Sequence, residues 1–135
     1  EQDQAITVAP LATEEDGVAL LAGAWLGGQR GALLLQSSGV GNCINMLGLP
    51  AICRLPLLML VTMRGEWGEF NPWQVTMGQA VQPTLEAMDV LVFRAERAAD
   101  VGATVDAAAR MAFEGPQAVA VLLAQQMIGA KSFTK

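Results

Sequence analysis

The sequence contains no histidine. That removes the side chain that most often serves as general base near neutral pH. Neither a Ser-His-Asp nor a Cys-His arrangement can be assembled, and the chain alone is a poor hydrolase. Cysteine is scarce as well, with Cys43 and Cys53 the only two. They are too few for a disulfide framework and, without histidine, for a zinc site. Reduced thiols of a cytoplasmic protein are the plain expectation. Charged residues make up only 16%, and eight Lys and Arg face 13 Asp and Glu for a net charge of -5. So few basic residues, spread along the chain, make no nucleic-acid surface. Long apolar runs are missing too. The best candidate, Leu55 to Met63, is interrupted by Pro56 and falls well short of the roughly 20 residues that cross a bilayer. No signal peptide or targeting tail is recognisable, so neither membrane nor export is expected.

What the chain has in abundance is apolar residues, 53% of the total, with a mean hydropathy of +0.38. At 135 residues it has the length of one domain, read as spanning 1–135. That apolar fraction suits parallel strands buried on both faces, which read as unbroken apolar runs, or a large subunit interface. Ile6 to Ala9 is a first short run closed by Pro10, and Thr13 stands as the N-cap of a helix with Asp16 three residues on. Val18, Leu21, Ala22, Trp25 and Leu26 then recur at helical spacing until Gly27-Gly28. Ala32 to Leu35 reads as a buried strand, Val40 to about Leu49 as a helix and Leu57 to Met63 as the clearest strand. Arg64 to Trp73 breaks all periodicity and reads as a long loop. Val75 to Ala87 is helical in tendency, with Pro83 expected to kink or split it. Val90 to Phe93 is a strand, Arg97 to Phe113 an Ala-rich helix stopped by Gly115-Pro116, and Ala118 to Leu123 a last strand before the tail Gln125 to Lys135. Alternating strands and helices predict an α/β fold: a doubly wound, mainly parallel sheet with helices on both faces.

Three polar groupings stand out. Glu14, Glu15 and Asp16 open the first predicted helix; capping the helix dipole explains acids there. A place just after a strand, where α/β sites form, gives Glu14 a functional reading as well. Gln36-Ser37-Ser38-Gly39-Val40-Gly41-Asn42 reads as a Gly-rich turn from strand into helix. It lacks the Lys-Ser/Thr of a Walker motif and the third glycine of the dinucleotide fingerprint. Its uncharged donors and acceptors suit a heterocycle or a backbone contact better than a diphosphate. The loop Arg64 to Gln74 holds Trp67, Phe70, Trp73, Arg64, Glu66 and Asn71. Long loops in compact domains are often functional, and a pinned surface loop, a lid and a partner-facing segment all remain open.

Together these residues resemble the pyrimidine-binding (Pyr) module of thiamine-diphosphate enzymes, and within it the sulfopyruvate and phosphonopyruvate decarboxylase group. Glu14 with Ala22-Gly23-Ala24-Trp25-Leu26 matches that group's Glu and A-G-A-Y/W-L stretch. Gln36 to Asn42 matches Q-N/S-S-G-L/V-G-N, and Arg64 to Gly68 matches R-G-E-x-G. The resemblance runs from about Ile6 to Phe133. It implies that Glu14 is catalytic, hydrogen-bonding N1′ of the aminopyrimidine and favouring its imino form, while the cofactor carries the hard chemistry. It implies cofactor contacts from Gln36, Ser37, Ser38, Gly39, Gly41 and Asn42. Arg64, Glu66, Asn71 and Gln74 become substrate or lid candidates.

The chain departs from the group in three ways. Val75 follows Gln74 where phosphonopyruvate decarboxylases carry histidine. The βα unit that usually opens a Pyr module has no counterpart in these residues, so either residues upstream have been omitted or cleaved or another segment fills its place. The G-D-G…N sequence, with which a diphosphate-binding (PP) module holds Mg²⁺, is also missing. The resemblance therefore implies no metal ligand in this chain and a separate β (PP) subunit that brings one. The chain would be the α subunit of a hetero-oligomeric 2-oxoacid decarboxylase, with sulfopyruvate the favoured substrate and phosphonopyruvate the second. Trp67, Phe70 and Trp73 are expected at an apolar interface. A non-catalytic assembly module of the same fold is the rival reading, and a flavodoxin-like nucleotide binder is disfavoured by the missing phosphate fingerprint.

Overall fold

The computed structural model describes residues 5–129. Four strands, β1 (Ala32–Gln36), β2 (Leu57–Thr62), β3 (Leu91–Ala95) and β4 (Ala118–Leu123), form one sheet in the order β1-β2-β4-β3. Every pair is parallel, with Leu34 opposite Leu60 and Leu60 opposite Val121. Among the described residues the helices are α1 (Glu14–Leu26), α2 (Ser37–Cys43), α3 (Gly48–Cys53), α4 (Pro72–Ala87), α5 (Ala98–Glu114) and α6 (Gln125–Ile128), with a 3-10 turn at Asn45–Leu47. The steps β1 to β2 and β2 to β3 run in one direction and the step β3 to β4 returns. Right-handed crossovers then place α2 and α4 on one face and α5 on the other. The two cores confirm this. Val18, Val40, Val81 and Leu85 pack on Leu57, Met59, Val61, Ala120 and Leu122, while Ala108 and Ala112 pack on Leu58, Val119 and Val121. The doubly wound α/β expectation holds.

The central strands β2 and β4 bury residues of both faces, which is why their sequences are unbroken apolar runs. The outer strand β1 alternates: Leu33 and Leu35 are buried beneath α1, whereas Leu34 on the opposite face is 72% exposed.

Several expectations fail at element ends. Ile6 to Ala9 pairs with no strand, and Ile6 and Val8 are exposed, so this run gains no burial to offset its ordering. Thr13 has extended backbone at the N-cap of α1, but its side chain makes no capping bond. The stretch read as a Gly-rich turn is helical from Ser37, and the segment read as one helix from Val40 to Leu49 is α2, a 3-10 turn and α3 in succession. Helix α4 starts at Pro72, three residues before Val75: the Asn71 side chain accepts from the Trp73 amide, and proline occupies the first turn. Pro83 does not split α4. Pro83 and Gln79, whose carbonyl loses its helical donor, are both exposed, so water can serve that carbonyl.

Glycine at position 78 is set by contact with the loop before α4. A Cβ there would collide with the Arg64 carbonyl oxygen and lie 2.9 Å from the Gly65 Cα. Helix propensity alone favours Gly78→Ala by roughly 0.5–1 kcal/mol. The backbone clash should outweigh it, giving a net loss of about 1–3 kcal/mol, read as a lower urea midpoint at unchanged slope. A rise in the midpoint would mean that the loop moves freely away from the helix.

Candidate active site at the carboxyl edge of the sheet

Helix α1 precedes β1, so its first turn lies over the end where β1 delivers Gln36 into α2. The Glu14 side chain crosses to α2 there. Asn42 Nδ2 donates to Glu14 Oε2 at 2.8 Å. The other oxygen, Oε1, lies 2.8 Å from the place a Cβ on Gly39 would take, and the carboxyl carbon 2.7 Å from it. Any larger residue at 39 would push the carboxylate away. Gly41 permits a second close approach, since a Cβ there would sit 3.2 Å from the Met77 sulfur of α4. Both glycines thus serve helix packing rather than a turn. One carboxylate oxygen is held by an amide, and the other has no hydrogen-bond partner among the described residues. That arrangement suits sharing a proton with a ring nitrogen.

The remaining turn residues have other partners. Ser38 Oγ donates to Gln36 Oε1 at 2.9 Å. Ser37 is fully buried, and its Oγ accepts from the Arg64 amide at 3.1 Å. Glu15, neighbour of Glu14, has a buried Oε2 without a hydrogen-bond partner among the described residues, so it is more than an exposed cap. Cys43 of α2 is buried, and its thiol is pushed up to about 11 by burial first and then by the Glu14 and Glu15 carboxylates. A thiol so disfavoured as thiolate is no nucleophile.

The loop after β2 is tied down rather than loose. Its centre is Glu69, which sequence reasoning missed. The Glu69 side chain is only 3% exposed. Its carboxylate accepts from Arg64 Nε at 2.6 Å and Arg64 Nη2 at 2.7 Å. The Gly65 and Asn71 amides and Gln125 Nε2 also donate to it, at 3.2, 3.0 and 3.0 Å. Gln125, buried at the start of α6, returns the tie: its Oε1 accepts from the Glu66 and Trp67 amides. Glu66 in turn accepts from Arg94 of β3 at 2.7 Å and from the Gln125 amide. Arg64 also stacks over Phe70, 5.8 Å from its ring centre. Of the four substrate or lid candidates, Arg64 and Glu66 are therefore engaged in ion pairs and Asn71 in capping. Gln74 lies inside α4 with its Oε1 buried and without a hydrogen-bond partner among the described residues. Only a structure can find Glu69, because a single Glu in an aperiodic loop carries no sequence signal of its partners.

The Arg64 guanidinium and, in smaller measure, the surrounding amides hold the Glu69 carboxyl far below its ordinary value of 4.5, against the opposing effect of burial. A carboxyl lowered on folding stabilises the fold fully above its unfolded value, and the stabilisation fades as pH falls toward the folded value. Stability of the chain should therefore drop as pH is lowered below about 5. The drop should be shallower in Glu69→Gln, which starts from a lower stability at pH 7. Urea unfolding at a series of pH values checks this, and parallel curves for both proteins would refute it.

No family model matches the chain. Over 122 residues, 90% of its length, it is 33% identical to the sulfopyruvate decarboxylase subunit alpha of Methanococcus maripaludis, 73% of which is covered. It is 36% identical over 125 residues, 91% of its length, to the protein of the same name from Methanothermobacter thermautotrophicus, 75% of which is covered. The phosphonopyruvate decarboxylase of Streptomyces viridochromogenes is 36% identical over 90 residues, 65% of this chain and 23% of that protein. Two relatives above 30% identity, each matched over about three quarters of its own length, leave one conclusion: the chain belongs to the family of sulfopyruvate decarboxylase alpha subunits.

Proposed function

We propose that residues 1–135 form one Pyr domain, the α subunit of a thiamine-diphosphate-dependent decarboxylase that converts sulfopyruvate to sulfoacetaldehyde and CO₂. The observation that carries this reading is the Glu14 carboxylate, seated on Gly39 and held through one oxygen by Asn42. A non-catalytic assembly module has no need of that arrangement. When bound, the cofactor supplies the electron sink for the departing CO₂. Glu14 would hold a proton at N1′ of its aminopyrimidine. Asn42 would keep the carboxylate oriented, and Gly39 would let it approach the α2 backbone. Gln36, Ser38 and Gly41 would border the ring from the same edge, with Ser37 supporting them from beneath. Among the described residues no group of three or more His, Cys, Asp or Glu side chains is placed to hold a metal. Mg²⁺ and the diphosphate would be held by a β subunit carrying G-D-G…N, a sequence these residues do not contain.

Trp67, Phe70 and Trp73 are exposed, Trp73 by 83%. Such a patch on a rigid loop suits contact with that subunit. No helix among the described residues is long and apolar enough to cross a membrane; a cytoplasmic place for the complex is part of the proposal. Phosphonopyruvate is the alternative substrate, supported by the 36% identity to a phosphonopyruvate decarboxylase.

The test is co-expression with a PP-module chain and measurement of CO₂ release from each 2-oxoacid in the presence of thiamine diphosphate and Mg²⁺. Glu14→Gln should keep the complex assembled and slow exchange of the cofactor's C2 proton roughly 10³-fold, about 4 kcal/mol of barrier. Asp16→Asn is the matching control, because Asp16 shares the first turn of α1 and is exposed. It should change the rate by less than about fivefold, as expected of an interaction with the helix dipole alone. Equal exchange rates in wild type and Glu14→Gln would remove Glu14 from the chemistry.

A further inference from the structure

The loop network and the Glu14 site are joined by a part-buried hydrogen bond. The Arg64 amide donates to Ser37 Oγ. Ser37 opens α2, whose next residues include Gly39 beneath Glu14 and Asn42 bonded to it. On its other side, Arg64 is oriented by Glu69 through two parallel bonds, and Gly65 and Asn71 are gathered by the same carboxylate. Two oxygens that accept from donors arriving on several sides leave the loop a single low-energy arrangement.

We propose that Glu69 is a positioning residue for the reaction. It holds the Arg64 backbone where it supports Ser37, and through Ser37 it sets the start of α2 and the Asn42 grip on Glu14. This rests on the role proposed for Glu14, but its structural half concerns only residues of this chain. The carboxylate is required rather than its shape. Glu69→Gln offers one acceptor oxygen and turns an NH₂ toward groups that are themselves donors. Glu69→Asp keeps both oxygens on a shorter stem.

The test uses Glu69→Gln, Glu69→Asp, Ser37→Ala and the Glu69→Gln/Ser37→Ala double variant. Each is assayed in the complex with the PP-module subunit, and each is also measured as the chain alone by NMR. Misplacement of a reacting group by about 1 Å lowers rates on the order of 10²-fold. Glu69→Gln should therefore lose roughly 10- to 100-fold in kcat with KM changed far less, the mark of misaligned rather than missing binding groups. Glu69→Asp should recover a large part. The double variant should be no slower than the worse single one, because both changes break the same line of support. In the chain alone, Glu69→Gln should shift the Asn42 side-chain amide resonances. A merely structural Glu69 predicts lower thermal stability with kcat, KM and the Asn42 resonances unchanged, and that result overturns the proposal. Additive losses in the double variant overturn it too. If Glu69→Gln does not fold, Ser37→Ala and Glu69→Asp carry the same comparison, and an unmoved Asn42 signal in both refutes it. A wild-type complex inactive on sulfopyruvate and phosphonopyruvate would count against the proposed function, while the Asn42 shift would still decide whether Glu69 reaches Glu14.

Discussion

A carboxylate can lie against the backbone of α2 because residue 39 has no Cβ. With alanine there, the Glu14 side chain would meet the new methyl group within van der Waals distance at its carboxyl carbon and at Oε1. Much follows from that one approach. It lets Asn42, three residues further along α2, reach the opposite oxygen. It brings α1 close enough to bury Cys43 beside two carboxylates, which keeps the thiol protonated. It also leaves one oxygen of the acid unengaged, among the described residues, at the sheet's carboxyl edge, where open α/β folds place their ligands.

The second constraint is ionic. A buried ion pair adds little net stability over a well-packed apolar substitute, so the value of Arg64 with Glu69 lies in direction. An apolar cluster would let the loop settle in several ways, whereas donors converging on one carboxylate define one. The positive φ of Gly65 and Gly68, 78° and 61°, lets the backbone turn tightly enough to aim its amides inward. Gly78 then allows α4 to press against the folded loop. The outcome is a framework with polar ties inside and aromatic rings outside, the reverse of an ordinary core.

The parts legible in the sequence are those where one physical signal dominates. β2 and β4 announce themselves as unbroken apolar runs, because the sheet buries them on both faces. The α1 face of Val18, Leu21 and Ala22 follows from helical spacing, although Leu26 of the same stripe, the last residue of the helix, ends up exposed. Glu14 is legible through family resemblance; composition alone explains it equally well as a helix cap. Gly39 and Gly41 mislead, because glycine marks both turns and close approaches and only the partner tells them apart. Ile6 to Ala9 has strand composition but no neighbour to pair with among the described residues. Glu69 is invisible because its neighbouring partners Arg64, Gly65 and Asn71 lie in an aperiodic loop with no pattern to pair them, and Gln125 because it reaches back across 59 positions to the Glu66 amide.

These features explain why the loop could pass for a lid and yet be built as a fixture. A lid gains from weak, solvent-exposed ties that open readily. Here the ties are charge-assisted, those at Glu69 are also part-buried, and they run to three strand ends at once: Arg64 after β2, Arg94 in β3 and Gln125 after β4. A loop anchored to three strands of a parallel sheet moves only if the sheet's carboxyl edge moves with it. Its exposed rings are therefore held in place before any partner arrives. A second chain meeting them would lose less conformational entropy than one meeting a loose loop. The same stiffness that would aid assembly would keep the support beneath Ser37 constant, so the geometry around Glu14 need not be rebuilt when the two chains meet.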